Sequence, residues 1–339
     1  MESARMKPAA GQPLVARKAR AACVVLLILT TATIAQEPTF RAQSNLVTVP
    51  VLVRDEQGKP VYGLEARDFL IKDDGVAQAV QMDEAAECEP VSMVVALQSG
   101  RRAAREFSRM QGLAAMLSPI FALPGSRVAL VEFDSTPNVT QPFSHDSVGI
   151  DQALQHLEPG DGGAAILDAV QLSVRLLEES PKGHRRVLLL ISETRDHGSH
   201  AAKIEDVVAA VGNSNVIVYA LPFSPSLSQV LDTERGSNRD EGRTSGDVLS
   251  PLLMASQAMR RNTARAIADM TGGEYELFSS RKNFERRMTD FANHLHSRYL
   301  LSFEPKDPQP GLHAIRVELR SPQKRSVLAR NSYWAKGTR

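Results

Sequence analysis

MVVAL, residues 93–97, is apolar at every position, with Pro90 before it and Gly100 after it. A strand with one face in water alternates apolar and polar residues, so an unbroken apolar run marks a strand covered on both faces. The same pattern recurs in RVALVEF at 127–133, RVLLLI at 186–191 and NVIVYAL at 215–221. The segments between them carry helical spacing. Phe107, Met110, Ala114 and Leu117 predict a helix over 103–118 that Pro119 closes, and Ile150, Leu154 and Leu157 predict a short one. Ile166, Val170, Val174 and Leu177 form one face of a long helix entered through Gly162-Gly163, and Ile204, Val207, Val208 and Val211 form the next. Helices over 252–270 and 283–297 follow, separated by a strand, EYELF at 274–278. Apolar strands separated by amphipathic helices define an α/β class fold, a doubly wound, mostly parallel sheet with helices on each side.

The flanks read differently. NLVTVPVLV (45–53) and DFLIK (68–72) are short strands, joined by the turn signals DEQGKP (55–60) and DDG (73–75). The tail turns β again in RYLLSFEP (298–305), HAIRVELR (313–320) and RSVLARNSYW (325–334). The expected organisation is an N-terminal β segment over 40–87, an α/β domain over 90–297 and a C-terminal β segment over 298–335, the two β segments pairing into one small sandwich-like unit. Residues 224–250, rich in Ser, Asp, Arg and Gly, read as a flexible insertion.

The chain has 339 residues, with 40 Lys plus Arg against 39 Asp plus Glu, so its net charge of +1 gives no overall attraction to nucleic acid. Arg17, Lys18 and Arg20 precede an apolar run from Ala21 to Ala35, with small residues Thr33 and Ala35 at its end. That is the layout of a secretory signal, and the run is shorter than the ~20 residues a spanning helix needs. Residues 1–35 are therefore expected to be cleaved, leaving no membrane span in an exported protein, periplasmic or extracellular; the alternative is an uncleaved membrane anchor. Of the two cysteines, Cys23 leaves with the signal and Cys88 remains alone. Two are too few for a disulfide scaffold or a four-thiolate zinc site.

VSMVVALQSG (91–100), GDGGAAILDAV (160–170) and VLLLISETRDHGS (187–199) follow one another in this frame of strands and helices. Together they resemble the von Willebrand factor type A (VWA) domain, a Rossmann-like fold. They are similar to its first strand with the metal loop, its second loop and its last acidic loop. The flanking β segments resemble more narrowly the exported VWA-related proteins found in Acidobacteria. The resemblance implies a metal-ion-dependent adhesion site, in which Asp-x-Ser-x-Ser, a Thr and an Asp hold Mg²⁺ or a similar hard cation.

This chain departs from the motif at each of those positions. Gln98 replaces the first Asp, Gly100 and Arg102 occupy the Ser positions, Ala164 the Thr and Glu193 the last Asp. A degenerate site without Mg²⁺ is expected. A site rearranged around Glu193, Ser99 and water stays open, as does direct capture of a partner carboxylate by Arg101 or Arg102. The candidate ligand-binding face comprises Gln98, Ser99, Arg101, Arg102, Gly163, Ala164 and Glu193. His197 and His200, beside Asp196, are expected on a solvated surface. His294 and His296 are two apart on a helix and so do not form a ligand pair.

No nucleophile motif, zinc-protease motif or phosphate loop appears, and the implied function is a non-enzymatic binding protein with a protein partner and no cofactor. A structural or self-assembling cell-envelope role is the alternative. N-terminal sequencing of the protein recovered outside the cytoplasm checks the export reading. A chain beginning at Gln36 is expected; a retained Met1 contradicts cleavage, and absence of the protein outside the cytoplasm contradicts export.

Overall fold

The computed structural model describes residues 46–83, 89–223, 250–306, 308–321 and 324–336. The expected signal over 1–35, Cys23, Cys88 and all of the expected insertion except Ser250 lie outside the described residues. The N-terminal flank supplies β1 (Val47–Arg54), β2 (Phe69–Asp73), β3 (Val76–Gln78) and β4 (Gln81–Asp83). The MVVAL run lies within β5 (Val91–Gln98), buried at all 8 positions. β5 pairs in parallel with β6 (Arg127–Phe133), to which β7 (Pro137–Ser144) adds antiparallel. On its other side β5 pairs in parallel with β8 (Arg185–Ile191), which pairs in parallel with β9 (Val216–Ala220). The resulting 5-stranded sheet has the order β7-β6-β5-β8-β9, with MVVAL at its centre.

Side chains of β5 alternate between two cores, as a period of two requires. Val94 and Ala96 join the cluster beneath α4 (Ile166–Glu178) and α5 (Ile204–Asn213), while Met93, Val95 and Leu97 join the opposite cluster. That second cluster includes residues of a 3₁₀ helix (Ala103–Arg109), of α1 (Leu113–Met116), of α2 (Ser118–Phe121), of α3 (Ser147–Gln155) and of α8 (Arg281–His296). The first cluster is completed by α6 (Pro251–Arg261) and α7 (Thr263–Thr271). Among the described residues no helix is long and apolar enough to cross a membrane.

Several local expectations differ from the structure. The helix expected over 103–118 is broken because Gly112 takes φ 83, a left-handed conformation no helix interior adopts, and Pro119, expected to close it, instead sits in the first turn of the short helix Ser118–Phe121, where its missing N–H costs nothing. The helix expected over 252–270 breaks at Asn262, whose side chain accepts from the Arg265 N–H and caps α7. EYELF is no full strand: it pairs only through isolated parallel bridges, Tyr275 with Ala220 at the end of β9 and Phe278 with Phe223 beyond it, while the Glu274 and Glu276 side chains pair with Arg54 and Arg287. β7 was not expected at all. Its sequence PNVTQPFS is mostly solvent-facing and holds two prolines, which an edge strand tolerates.

The tail supplies β10 (Tyr299–Phe303), β11 (Gly311–Leu319), β12 (Ser326–Ala329) and β13 (Ser332–Ala335). RSVLARNSYW is thus two strands, because the chain crosses between sheets at Arg330 and Asn331. Strands from both flanks form two antiparallel sheets, ordered β12-β1-β10-β4 and β13-β11-β2-β3. Between them Val49, Val51, Phe69, Ile71, Leu301, Phe303 and Tyr333 make a third core.

Buried cations bolt this β unit to the α/β domain. The Arg330 guanidinium donates to the carbonyls of Ser332, Gly212 and Thr48, and burial lowers its pKa to about 10. Glu274 accepts from His294 Nδ1 at 2.8 Å, pairs with Arg298 at 3.1 Å and lies 3.6 Å from Arg54 at the end of β1. Burial alone would raise the Glu274 pKa, but the His294 hydrogen bond and the charges of Arg298, His294 and Arg54 bring it below the ordinary value. A lowered folded-state pKa stabilises the fold above the unfolded value of 4.5 and loses that contribution as pH falls through the folded value. Glu274→Gln is expected to cost about 2–3 kcal/mol at pH 7. Urea titrations should show the gap to wild type shrinking below the unfolded value of 4.5; a pH-independent gap would contradict the ion cluster.

Candidate ligand-binding face

Parallel strands all deliver their following loops to one edge of the sheet. β5 ends in Gln98, β6 leads into Asp134 and Ser135, and β8 leads into Ser192 and Glu193. The chain between α3 and α4 returns to the same edge. Backbone hydrogen bonds stitch these loops together: Ser99 N–H to Phe133 O at 2.7 Å, Gly160 N–H to Ser99 O at 2.8 Å and Ala165 N–H to Asp134 O at 2.7 Å. His197 N–H donates to Ala164 O at 3.1 Å. The approach is close enough to demand glycine, since a Cβ on Gly100 would lie 2.5 Å from Gly163 O and one on Gly163 would lie 2.1 Å from Ser135 Oγ.

At the centre two buried side chains face each other. Gln98 Oε1 accepts from the Glu193 N–H at 2.7 Å, while Gln98 Nε2 lies 3.4 Å from both Glu193 Oε1 and Gly163 O. His197 Nε2 approaches Glu193 Oε2 at 3.0 Å, and Arg102 Nη1 stands 3.7 Å from the same oxygen. The Glu193 carboxylate is therefore shared by an amide, an imidazole and a guanidinium. Ala164 puts a fully buried methyl group into the core where a hydroxyl was the family expectation.

Flanking carboxylates hold the loops in shape. Asp161 accepts from the Gly163 N–H at 2.7 Å and the Ser135 N–H at 3.2 Å. Its pKa lies below the ordinary value, chiefly through the Ser135 hydroxyl and then the Gly163 amide, with a smaller pull from Arg101. Burial pushes Glu132 the other way, against a hydrogen bond from Ser99 and with added repulsion from Asp134 and Glu158.

The third loop wraps the start of α4. Asp196 Oδ1 accepts from the Leu167 N–H at 3.0 Å, satisfying a free donor of the helix's first turn. Asp168, inside that turn, accepts from the amides of His200, Ala201 and Ala202 at 3.0, 3.3 and 2.6 Å. The anion-seeking start of this helix is thus filled from within the chain.

Gln98, Ser99, Gly163, Ala164 and Glu193 are brought together and buried, while Arg101 and Arg102 stand exposed at the rim, the Arg102 side chain at 67%. His200 is exposed as expected. His197 and Asp196 are not idle surface groups, because one contacts Glu193 and the other caps α4. The spacing of Glu193 and His197, four apart in a loop that returns on itself, was the available signal for that contact. The role of Asp168 carried no side-chain signal, since its partners are backbone amides that any sequence supplies, and Asp161 meets the Ser135 hydroxyl and amide only across 26 residues of chain.

The family model of the von Willebrand factor type A domain matches residues 92–200. No curated protein matches the sequence. Among solved structures, the conserved hypothetical protein BatB from Bacteroides thetaiotaomicron is 15% identical, with 60% of this chain and 98% of that chain covered and a TM-score of 0.41. A von Willebrand factor type A protein from Catenulispora acidiphila is 11% identical, covering 85% of this chain and 73% of that one at a TM-score of 0.42.

Asp168→Ala leaves three loop amides without an acceptor. It is expected to cost about 2 kcal/mol or more and to speed hydrogen exchange of the amides at 200–202. Unchanged exchange there would contradict the role given to Asp168.

Proposed function

We propose, on the match of residues 92–200 to the von Willebrand factor type A model, that the protein is an exported, non-enzymatic interaction protein that receives an acidic group of a protein partner on the loop face of its parallel sheet, through Arg101 and Arg102 and without a metal ion. The observation that carries this reading is the closed Gln98–Glu193 pair with Arg102 beside it at 3.7 Å.

A hard divalent cation of the Mg²⁺ kind asks for about six oxygens at about 2.0–2.1 Å. Here the Gln98 oxygen already accepts from Glu193, Ala164 offers none, and the Glu193 carboxylate is hydrogen-bonded by two neighbours. Arg102 adds a positive charge 3.7 Å from the same carboxylate. The residues present do not fit the ion.

What the ion would offer a partner is a positive charge at the rim, and the two arginines offer the same. A guanidinium binds a carboxylate through paired hydrogen bonds without a preformed cage. Arg102 holds Glu193 only loosely and is mostly exposed, so a partner carboxylate is free to approach it. For catalysis the face has little to offer. The Ser99 hydroxyl is buried and bonded to Glu132, a carboxylate, so it is not paired with an imidazole base as a nucleophile would be.

The test uses a partner captured from a cell-envelope extract, purified and titrated by biolayer interferometry. Arg101→Ala/Arg102→Ala is expected to weaken binding at least tenfold, with EDTA leaving the wild-type affinity unchanged. Equal affinity of the double variant, or loss of binding in EDTA, would contradict the proposal.

A further inference from the structure

A second polar cluster lies in the β unit, outside the loops described above. Asp73 ends β2 and Asp74 begins the turn into β3. His313 comes from β11, which pairs with β2 and places His313 opposite Tyr333 of β13. One carboxylate oxygen from each aspartate and one ring nitrogen of His313 lie within 4.8 Å of one another. Among the described residues no other three His, Cys, Asp or Glu side chains converge in this way.

The hydrogen bonds around the cluster leave one of its carboxylate oxygens without a donor. His313 Nε2 lies 2.6 Å from the Gln309 carbonyl, which only accepts, so Nε2 carries a hydrogen. Nδ1 then faces Asp74 Oδ2 at 2.8 Å. Asp74 Oδ1 already accepts from the Ala314 N–H at 2.9 Å, and Asp73 Oδ2 from the Tyr333 hydroxyl at 3.0 Å. Asp73 Oδ1 is buried with no partner, in a residue only 9% exposed. A buried carboxylate oxygen without a donor is costly and calls for an explanation. A proton on Nδ1 would satisfy His313 and Asp74 but would leave Asp73 Oδ1 bare. A cation between the three satisfies all of them.

We propose that Asp73, Asp74 and His313 bind one Zn²⁺, with Asp73 Oδ1, Asp74 Oδ2 and His313 Nδ1 as ligands and water in the fourth position. One imidazole with two carboxylates is a borderline-soft donor set, which suits zinc better than magnesium or calcium. Tetrahedral bonds of about 2.0–2.1 Å put neighbouring donors about 3.4 Å apart. The Asp74–His313 contact at 2.8 Å has only to open slightly, while Asp74 Oδ1 keeps its bond from the Ala314 N–H.

The second layer is already in place. The Gln309 carbonyl fixes the ring so that Nδ1 points inward, as outer partners do for ligating histidines. Tyr333 stacks on the imidazole with ring centroids 5.0 Å apart and at the same time holds the Asp73 carboxylate. Such an ion staples the β2–β3 turn of the N-terminal flank to β11 of the C-terminal flank, so metal binding and folding of the β unit reinforce each other.

Calorimetric titration of the EDTA-treated, dialysed chain with zinc chloride, followed by thermal unfolding, tests this. One equivalent of zinc is expected to bind and to raise the unfolding midpoint by several degrees, with magnesium chloride giving neither effect. Asp73→Asn and His313→Gln, each checked for native circular dichroism, should weaken zinc binding at least tenfold, while His200→Gln should leave it intact. No zinc uptake by the wild type, or uptake that survives in folded His313→Gln, would overturn the site.

Discussion

The Gln98 carboxamide accepts from the Glu193 backbone with its oxygen and reaches the Glu193 carboxylate with its nitrogen. One neutral side chain at the end of the central strand therefore closes the first loop onto the third. An aspartate at this position would supply two acceptors and no donor, and it would face a second carboxylate at short range. Gln98 makes Glu193 tolerable, Glu193 gives His197 and Arg102 a partner, and Ala164 fills the space beneath with a methyl group. These substitutions form one compatible set, in which buried polar atoms satisfy each other.

The loops that carry this set are placed by the sheet and steadied from below. β5 is buried on both faces, so its end cannot move without disturbing two cores. At the joint with the β unit, Glu274 collects an imidazole and two arginines, and Arg330 spends its donors on three carbonyls. Charges buried this deeply hold a geometry more than they add stability, because desolvation offsets much of the attraction. The β unit is therefore held in one orientation against the α/β domain, although its strands come from opposite ends of the chain.

Much of the architecture was legible because burial on both faces leaves a plain mark in sequence. MVVAL, RVALVEF, RVLLLI and NVIVYAL all became parallel strands, and the β-rich flanks paired with each other. What escaped reading depends on single residues or on distant contacts. Gly112 broke a helix whose apolar spacing was intact, and Asn262 did the same by capping. β7 was hidden because an edge strand buries little and so shows no pattern. At the site, the replaced positions could be read one by one, but the Gln98–Glu193 bond joins residues 95 apart and only the parallel pairing of β5 with β8 makes it visible. The buried, partnerless oxygen of Asp73 is likewise a property of packing that no motif encodes.

The central claim is that a polar side-chain network, not a cation, organises the loop face. Isothermal titration calorimetry of the wild-type chain with magnesium and manganese tests it most directly when Glu193→Ala is run beside it. No heat attributable to Glu193 is predicted. A micromolar binding isotherm in the wild type that disappears in Glu193→Ala would contradict the account.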